Sequence, residues 1–256
     1  MDLQLKDHVV IVTGGAKGIG EAIVRGLARE GAIPVILDKD KAAGEALSRQ
    51  LAVGSFIALD LNDAAACQQA VEETVSRHGR INGVVNNAGY NDSIGLHSGN
   101  PEKFLRSMTN NVGHFYFMVY HAMAQLKATR GSIVNIGSKT SVTGQGSTSG
   151  YVAAKGAVLA LTREWAVELL PWSVRVNAVI PAEVQTPLYD NWIASFPDPA
   201  AKLKTMTDRV PFEHRLTQPT EIADSVLFLL SARSSHTTGQ WLFVDGGYTH
   251  LDRAIS

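Results

Sequence analysis

The sequence has little cysteine and no excess of charge of either sign. Its 256 residues include one cysteine, Cys67, so a disulfide within the chain is impossible and we expect a reducing, cytoplasmic location. Lysine and arginine together number 23, and aspartate and glutamate number 24. This balance argues against nucleic acid or a membrane surface as a partner, because proteins that bind either usually carry a basic excess.

Long apolar runs and metal-binding motifs are also missing. The apolar runs extend over only a few residues, whereas a helix needs about 20 to span a bilayer. The N-terminal residues lack the cationic and apolar regions of a signal peptide, and we expect none. The eight histidines show no HExxH pattern and no clustering with Cys67, so we expect no metal site.

What is present is a regular alternation of short β-branched segments with helical patterns. The segment VVIVT at 9–13 is continuous and apolar, which is typical of a strand covered on both faces. We predict strands over 9–13, 34–38, 55–61, 83–89, 132–138, 174–180 and 241–247, and helices over about 19–30, 42–51, 64–78, 110–128 and 151–170. The alternation predicts a single doubly wound, Rossmann-like α/β domain over 1–256, with a seven-stranded parallel sheet and helices on both faces.

One segment, about 182–211, departs from this regularity. It follows a predicted strand and carries Pro187, Pro197, Pro199 and Pro211. An irregular segment in that place is a candidate for a mobile lid. We therefore predict a substrate lid over 182–211.

A glycine-rich turn joins the first predicted strand to the first helix. Its glycines let the main chain approach a pyrophosphate closely, and the helix N-terminus supplies free N–H groups and a favourable dipole. No Lys-Ser/Thr pair closes the turn, so it is not a Walker loop. Because the turn lies between a strand and a helix, we predict a dinucleotide site at Gly14, Lys17, Gly18, Ile19 and Gly20.

Residues at the ends of the next predicted strands indicate which dinucleotide binds. Asp38 can accept both hydroxyls of an adenosine ribose and would repel a 2′-phosphate, which favours NAD. Lys17 could instead pair with a 2′-phosphate, so NADP stays open. At the third and fourth strands, the candidate cofactor contacts are Asp60, Leu61, Asn87, Ala88 and Gly89.

A tyrosine and a lysine form the centre of a candidate catalytic group. Tyr151 and Lys155 lie four residues apart on a predicted helix and share a face. Ser138 ends the fifth predicted strand, and Asn111 lies at the start of the long helix before it. The carboxyl edge of a doubly wound sheet is where such folds place ligands, so we expect these side chains near the nucleotide.

These residue types suit the oxidation of an alcohol. A free tyrosine has a pKa of about 10 and is a weak base at neutral pH. We expect the Lys155 ammonium and an oxidised nicotinamide to favour its phenolate. Tyr151 would then take a proton from a substrate hydroxyl while hydride leaves the same carbon. Ser138 would hold the substrate oxygen, and Asn111 would anchor a water that relays the proton to solvent.

Together these motifs carry a family resemblance. TGGAKGIG, NNAG, Asn111, Ser138, YVAAK and VDGG occur in this order over nearly the whole chain, which thereby resembles the short-chain dehydrogenase/reductase family. The resemblance implies a Rossmann-like domain, a nicotinamide cofactor and a catalytic tetrad of Asn111, Ser138, Tyr151 and Lys155. It also implies cofactor contacts at Pro181, Val184 and Thr186, and a homotetramer or dimer through the two long helices.

The segment after the sixth predicted strand departs from the family's pattern. The family usually shows Pro-Gly there, whereas this chain has Pro181, Ala182 and Glu183. Glu183 either brings a carboxylate near the expected nicotinamide pocket or points outward into solvent, and both interpretations stay open.

Polar residues around the expected pocket favour a polyhydroxylated substrate over a steroid or a long acyl chain. The candidate substrate contacts are Asn91, Lys139, Gln145, Glu183 and Trp192. The stretches 138–146, 177–196 and 241–254 resemble bacterial sugar dehydrogenases of the family, in particular those acting on L-fucose. This implies oxidation of the anomeric carbon of an aldose to a lactone. The hydrophilic tail, 248–254, could close over a neighbouring site in an oligomer.

Two other functions remain as alternatives. A 3-oxoacyl-thioester or hydroxysteroid reductase would use the same fold, although no basic patch for a carrier protein stands out in the sequence. A catalytically silent nucleotide-binding regulator would not need all four of Asn111, Ser138, Tyr151 and Lys155, which are present.

Overall fold

A computed structural model describes residues 2–251 of the chain. Its strands are β1 (Val9–Thr13), β2 (Ile33–Asp38), β3 (Ser55–Ala58), β4 (Gly83–Asn86), β5 (Ser132–Ile136), β6 (Arg175–Pro181) and β7 (Trp241–Val244). They form one sheet in the order β3-β2-β1-β4-β5-β6-β7, and every neighbouring pair is parallel. The seven-stranded parallel sheet is therefore confirmed.

Helices connect these strands. They are α1 (Gly18–Arg29), α2 (Lys41–Gln50), α3 (Ala64–His78), α4 (Pro101–Met108), α5 (His114–Thr129), α6 (Thr140–Thr143), α7 (Ser149–Glu168), α8 (Pro187–Ala194), α9 (Pro199–Thr207) and α10 (Pro219–Leu230). A π-helical segment, Thr109–Gly113, joins α4 to α5. Short polar side chains begin several helices: Asp40, Asp63 and Asn100 each accept a main-chain N–H in the first turn of α2, α3 and α4.

Successive residues of each strand point to opposite faces of the sheet, and each face has its own core. On one face, β-strand residues such as Ile11 and Val84 pack against α3, α5 and α7. On the other, Val12, Val85 and their neighbours pack against α1, α2 and α10. Strands covered on both faces explain the continuous apolar runs in the sequence. Cys67 of α3 is fully buried in the first of these cores.

Several predicted boundaries were wrong. β3, β4, β5 and β7 each end before the predicted last residue, because the following glycines and polar residues leave the sheet at its carboxyl edge. The segment 182–211 is not irregular throughout, since it contains α8 and α9. Both helices have proline in the first turn and a capping side chain before it, Thr186 and Asp198, which is a favourable helix start. Of the tail 248–254, residues 252–254 lie outside the described residues.

The strand order fixes where a ligand can bind. β1 is flanked by β2 and β4, so the connections from β1 and from β4 leave toward opposite faces. A crevice therefore forms outside the carboxyl ends of β1 and β4, as in other doubly wound sheets. The glycine turn after β1 and the segment Asn87–Gly89 after β4 both border it.

Candidate active site

A cavity of about 590 Å³ lies at the carboxyl edge of the sheet, a volume typical of ligand sites. Residues that follow β1, β2, β3, β4, β5 and β6 contribute to its wall. The residues predicted from sequence that line it are Gly14, Lys17, Gly18, Ile19, Asp38, Asp60, Leu61, Asn87, Ala88, Gly89, Ser138, Tyr151, Lys155, Pro181, Val184 and Thr186. The fold thus brings most of the sequence-predicted site residues to one cavity.

The glycine turn is packed too tightly for side chains. A Cβ added at Gly20 would lie 2.0 Å from the Gly14 carbonyl oxygen and 2.8 Å from the amide nitrogen of Asn87. That amide donates to the main-chain oxygens of Thr13 and Gly14, both at 3.0 Å, and so ties the end of β4 to the turn. Gly20 therefore does not line the cavity but allows the turn to close behind it.

Hydrogen bonds and an ion pair fix the side chains around Asp38. One Asp38 oxygen accepts from the Ala16 N–H at 3.1 Å, and the other accepts from the Asp40 N–H at 2.9 Å. Lys17 pairs with Asp40 at 2.5 Å, and this contact raises the pKa of the exposed lysine. The adenosine end of the cavity thus carries a fixed carboxylate, and the nearby cation already has a partner.

Tyr151, Ser138 and Lys155 meet at the opposite end of the cavity. Tyr151 and Lys155 lie one turn apart on α7, and the lysine Nζ is 5.8 Å from the centre of the tyrosine ring. Lys155 Nζ donates to the Ile136 carbonyl at 2.8 Å, which fixes its position beside the end of β5. Ser138 accepts from the Thr140 hydroxyl at 3.0 Å, so its own proton remains available for another acceptor.

Burial controls the ionisation of both α7 residues. It lowers the pKa of Lys155 to about 7. It also raises the pKa of Tyr151, although a hydrogen bond from Ser138 acts in the opposite direction and the charge of Glu183 adds to the rise. The loss of water around Tyr151 is the largest effect on this pKa, and the expectation that Lys155 and an oxidised nicotinamide together favour the phenolate remains a prediction. Deprotonation of Tyr151 therefore needs a further positive charge in the cavity.

Asn111 lies in the π-helical segment and not at the start of a regular helix. Its side-chain oxygen accepts from the Tyr90 N–H at 2.8 Å, and its amide donates to the Ser107 carbonyl at 3.0 Å. A Cβ at Gly89 would lie 3.0 Å from that oxygen and 3.5 Å from Lys155 Nζ. The fully buried Asn111 side chain therefore stands behind Gly89 and joins the π-helical segment and the last turn of α4 to the residues that follow β4. Its role in holding a water remains a prediction.

The residues present fit a nicotinamide dinucleotide. The first N–H groups of α1 have no partner within the helix and face the crevice beside the glycine turn, where a pyrophosphate can accept from them. Asp38 supplies an acceptor at one end of the cavity, and Tyr151 and Lys155 supply hydroxyl and ammonium groups at the other. Glycines at both turns leave the room that such a molecule needs.

None of the five predicted substrate residues lines this cavity. Lys139 pairs with Glu183, and neither side chain belongs to the lining, although Ser138, Ala182 and Val184 beside them do. Asn91 and Gln145 border a second cavity of about 620 Å³ between 91–98 and 145–149. Trp192 is 42% exposed on α8 and packs against Tyr189 and Phe196.

Sequence reasoning missed several residues that line the main cavity, among them Tyr90, Asn110, His114 and Tyr189. Asn110 and His114 are four residues apart, a helical spacing that could have indicated a shared face. His114 is 1% exposed, and neither ring nitrogen makes a hydrogen bond of ordinary geometry among residues 2–251. Burial lowers its pKa to about 4, so the ring is neutral near pH 7.

Residues 14–249 match the family model described as enoyl-(acyl carrier protein) reductase. Bovine L-fucose dehydrogenase is 38% identical to this chain over 248 residues, which cover 96% of this chain and 91% of that protein. The chain belongs to the short-chain dehydrogenase/reductase family.

Solved structures of the family have the same fold. The crystal structure of Cj0485 dehydrogenase aligns with a TM-score of 0.96 at 43% identity, covering 100% of this chain and 99% of that one. Aldohexose dehydrogenase of Thermoplasma acidophilum aligns with a TM-score of 0.90 at 30% identity, covering 99% and 98%. This short-chain dehydrogenase/reductase is an NAD(P)-dependent enzyme that acts on CH–OH groups of small molecules.

The described residues carry neither a metal-binding cluster nor a membrane-spanning helix. Within 2–251, no group of three or more histidine, cysteine, aspartate or glutamate side chains could hold a metal ion. None of the helices in that range combines the length and the apolar character needed to cross a bilayer.

Proposed function

We propose that this enzyme oxidises the anomeric carbon of an aldose, L-fucose or a closely related sugar, to the lactone, with NAD as the preferred cofactor. The observation that carries the proposal is the meeting of Tyr151, Ser138 and Lys155 at one end of a cavity whose other end holds Asp38. Similarity to L-fucose and aldohexose dehydrogenases over nearly the whole chain supports the sugar as substrate.

Each residue of the tetrad has a separate task in this reaction. Tyr151 takes the proton of the substrate hydroxyl, and Ser138 donates to the same oxygen and holds it in place. Lys155, fixed by the Ile136 carbonyl, supplies positive charge beside the phenol. The oxidised nicotinamide, when bound, accepts the hydride and adds the further positive charge that Tyr151 needs. Asn111 holds the residues after β4 against the π-helical segment, and we retain the proposal that it anchors a proton-relay water.

The preference for NAD rests on charge at the adenosine end. A 2′-phosphate would meet the Asp38 carboxylate, which two main-chain N–H groups hold in place. Lys17 is neutralised by Asp40 and offers little to a phosphate. Lys39 also lines the cavity and is the cation that would favour NADP. We weigh the fixed carboxylate more heavily because it excludes the phosphate actively.

The remaining proposals concern the substrate end and the assembly. We propose α8 and α9 as the lid over 182–211, and Asn91, Lys139, Gln145, Glu183 and Trp192 as residues that shape the sugar site. The exposed apolar side chains of α5 and α7, which include Tyr116, Tyr120 and Val167, support a homo-oligomer, tetramer or dimer, through these helices.

A 3-oxoacyl-thioester reductase is the second candidate. The description of the matching family model, an acyl-carrier-protein reductase, favours it. The hydroxyl of Tyr189, which lines the cavity and donates to Glu183, argues against it, because an acyl chain calls for an apolar wall. The two candidates differ in the substrate that they turn over.

Initial rates of nicotinamide reduction by the purified enzyme test the proposal. We expect a saturable rate with L-fucose that is faster with NAD than with NADP, and no oxidation of NADH or NADPH in the presence of a 3-oxoacyl thioester. If the protein binds NAD but shows no rate with any of a panel of aldoses, the sugar proposal is wrong. A rate with the thioester would then favour the second candidate.

A further inference from the structure

One ion pair differs from the others in this protein by its burial. The side chains of Lys139 and Glu183 are only 7% and 18% exposed. Every other ion pair among residues 2–251 leaves at least 35% of each side chain exposed, as in the pair of Lys204 with Asp208. Removing two charges from water costs free energy, so a buried pair needs close contact and additional hydrogen bonds.

Those additional contacts come from three separate segments. The Lys139 ammonium lies 3.6 Å from the centre of the Tyr248 ring, near the C-terminus. The second carboxylate oxygen of Glu183 accepts from the Tyr189 hydroxyl of α8 at 2.9 Å. The main-chain carbonyl of Glu183 accepts from the Thr217 N–H at 2.9 Å. The pair therefore joins the turn after β5 to the segment after β6, to α8 and to the C-terminal segment.

The pair stands directly behind the catalytic end of the cavity. Lys139 follows Ser138 in the chain, and its N–H donates to the Pro181 carbonyl at 3.0 Å. Glu183 lies between Ala182 and Val184, which both line the cavity. Its carboxylate acts on Tyr151 through space and raises the pKa of that phenol.

Charged and polar groups face Tyr151 from three elements of the fold. Lys155 faces it from α7 itself, and Ser138 faces it from the end of β5 with a neutral hydroxyl. Glu183 faces it from the segment after β6, with the neutral Tyr189 of α8 on the far side of the carboxylate. A carboxylate in this position opposes the formation of a phenolate, and a paired cation weakens that opposition.

We propose that Lys139 is a positioning residue for the reaction: by pairing with Glu183 behind the wall of the cavity, it weakens the opposition of that negative charge to the loss of the proton from Tyr151. Glu183 in turn fixes α8 by accepting a hydrogen bond from Tyr189. The carboxylate therefore has a structural role, and Lys139 offsets the effect of its charge on the pKa of Tyr151. The inference rests on the proposed role of Tyr151 but on no particular substrate.

The two halves of the pair should act on Tyr151 in opposite directions. In Lys139→Met the uncompensated carboxylate should raise the apparent pKa of Tyr151 by roughly one unit. In Glu183→Gln the uncompensated ammonium should lower that pKa by a similar amount. In the double variant the pKa of Tyr151 should return close to the wild-type value. Lys139→Arg keeps the positive charge and should leave the pKa of Tyr151 unchanged.

The measurement is a spectroscopic titration that requires no turnover. The phenolate of Tyr151 is followed by ultraviolet absorbance of the NAD complex against pH, and the same titration of Tyr151→Phe subtracts the other five of the six tyrosines. Lys204→Met, which breaks an exposed pair, is the matched control and should not shift the curve. The pH profile of kcat/KM with L-fucose gives a second readout.

Opposite shifts in Lys139→Met and Glu183→Gln, cancelling in the double variant, would support the proposal. Shifts in the same direction, or none in properly folded variants, would overturn it and leave the pair a purely structural contact. If Lys139→Met fails to fold, Glu183→Gln and Lys139→Arg still decide the question. An absence of any rate with sugars would contradict the proposed function alone, because the titration does not depend on substrate.

Discussion

The two ends of the cavity are built in different ways. At the cofactor end, main-chain turns and glycines define the shape, as at Gly20, where a single added carbon would meet the Gly14 carbonyl at 2.0 Å. At the substrate end, side chains from distant segments hold one another, as Glu183 does with Lys139 and Tyr189. A site that the main chain shapes can be predicted from sequence motifs. A site that pairs of side chains shape depends on which loops the fold brings together.

The largest expected effect on activity comes from substitution of Tyr151, the proposed base. Tyr151→Phe should lower kcat/KM by roughly 10²–10⁴-fold, because general-base catalysis is lost. The affinity for NAD should change little, since the phenyl ring remains. Tyr90→Phe, a second tyrosine of the cavity wall, is the control and should keep most of the activity. Full activity in Tyr151→Phe, measured by nicotinamide reduction, would refute the mechanism.

His114 is an exception among the residues that line the cavity, because its buried ring has no partner of ordinary geometry among residues 2–251. Its pKa is lowered from 6.5 to about 4 by burial. The stability that depends on a neutral ring is thus complete above pH 6.5 and is lost as the pH falls through 4. The free energy of unfolding should decrease by about 3 kcal/mol over that interval from this group.

Urea unfolding of wild type and His114→Gln between pH 7 and pH 4 measures this effect. The variant should show a shallower loss of stability, while His121→Gln on the same helix should follow the wild type. Identical slopes for wild type and His114→Gln would contradict the assignment.

A change at the glycine turn should affect the cofactor end only. Gly20→Ala forces the turn to shift, and the strain should weaken NAD binding by roughly 10–100-fold. Gly156→Ala, on α7 with nothing within 4 Å of the added carbon, is the matched control. A fluorescence titration with NADH gives the dinucleotide affinity of both variants. Unchanged binding in Gly20→Ala would mean that the turn is not the pyrophosphate site.

Asp38 should determine which cofactor is used. In Asp38→Ser the repulsion of a 2′-phosphate is lost, and the ratio of kcat/KM for NAD over NADP should fall by roughly 10–100-fold. Asp60→Ser, a carboxylate further along the same wall, should change that ratio much less. A wild-type enzyme that already prefers NADP would show that Lys17 or Lys39 outweighs Asp38.

The smallest effect is expected at the substrate end. Tyr189→Phe removes one hydrogen bond to Glu183 and should raise KM for the sugar by roughly 3–10-fold while KM for NAD stays constant. Tyr116→Phe, an exposed tyrosine of α5, serves as the control. A parallel rise in both KM values would show that the two ends are not separable in the way described.

The sequence predicted the fold because alternation of apolar strands with helices allows few other arrangements, and the glycine turn and Tyr151 lay within short motifs. The prediction failed at α8 and α9, where several prolines suggested an irregular segment although proline in a first turn favours a helix. It also missed the pairing of Lys139 with Glu183. These residues are 44 positions apart, and their contact follows from the pairing of β5 with β6 and from no local pattern.

The partial burial of Tyr151 could not be predicted either. We expected Lys155 and an oxidised nicotinamide together to lower the pKa of the tyrosine, whereas the loss of water around its hydroxyl, which depends on how α7 packs in the fold, raises it. The sign of a pKa shift depends on that depth as much as on the neighbouring charges.

The transfer of hydrogen from the anomeric carbon tests the central claim most directly. The enzyme is given L-fucose deuterated at C1 with NAD, and the reduced cofactor is analysed by mass spectrometry. The account predicts NADH that carries the deuterium and a lactone that has lost it. Unlabelled NADH formed with turnover would show that another hydroxyl is oxidised, and the assignment to the anomeric carbon would be wrong.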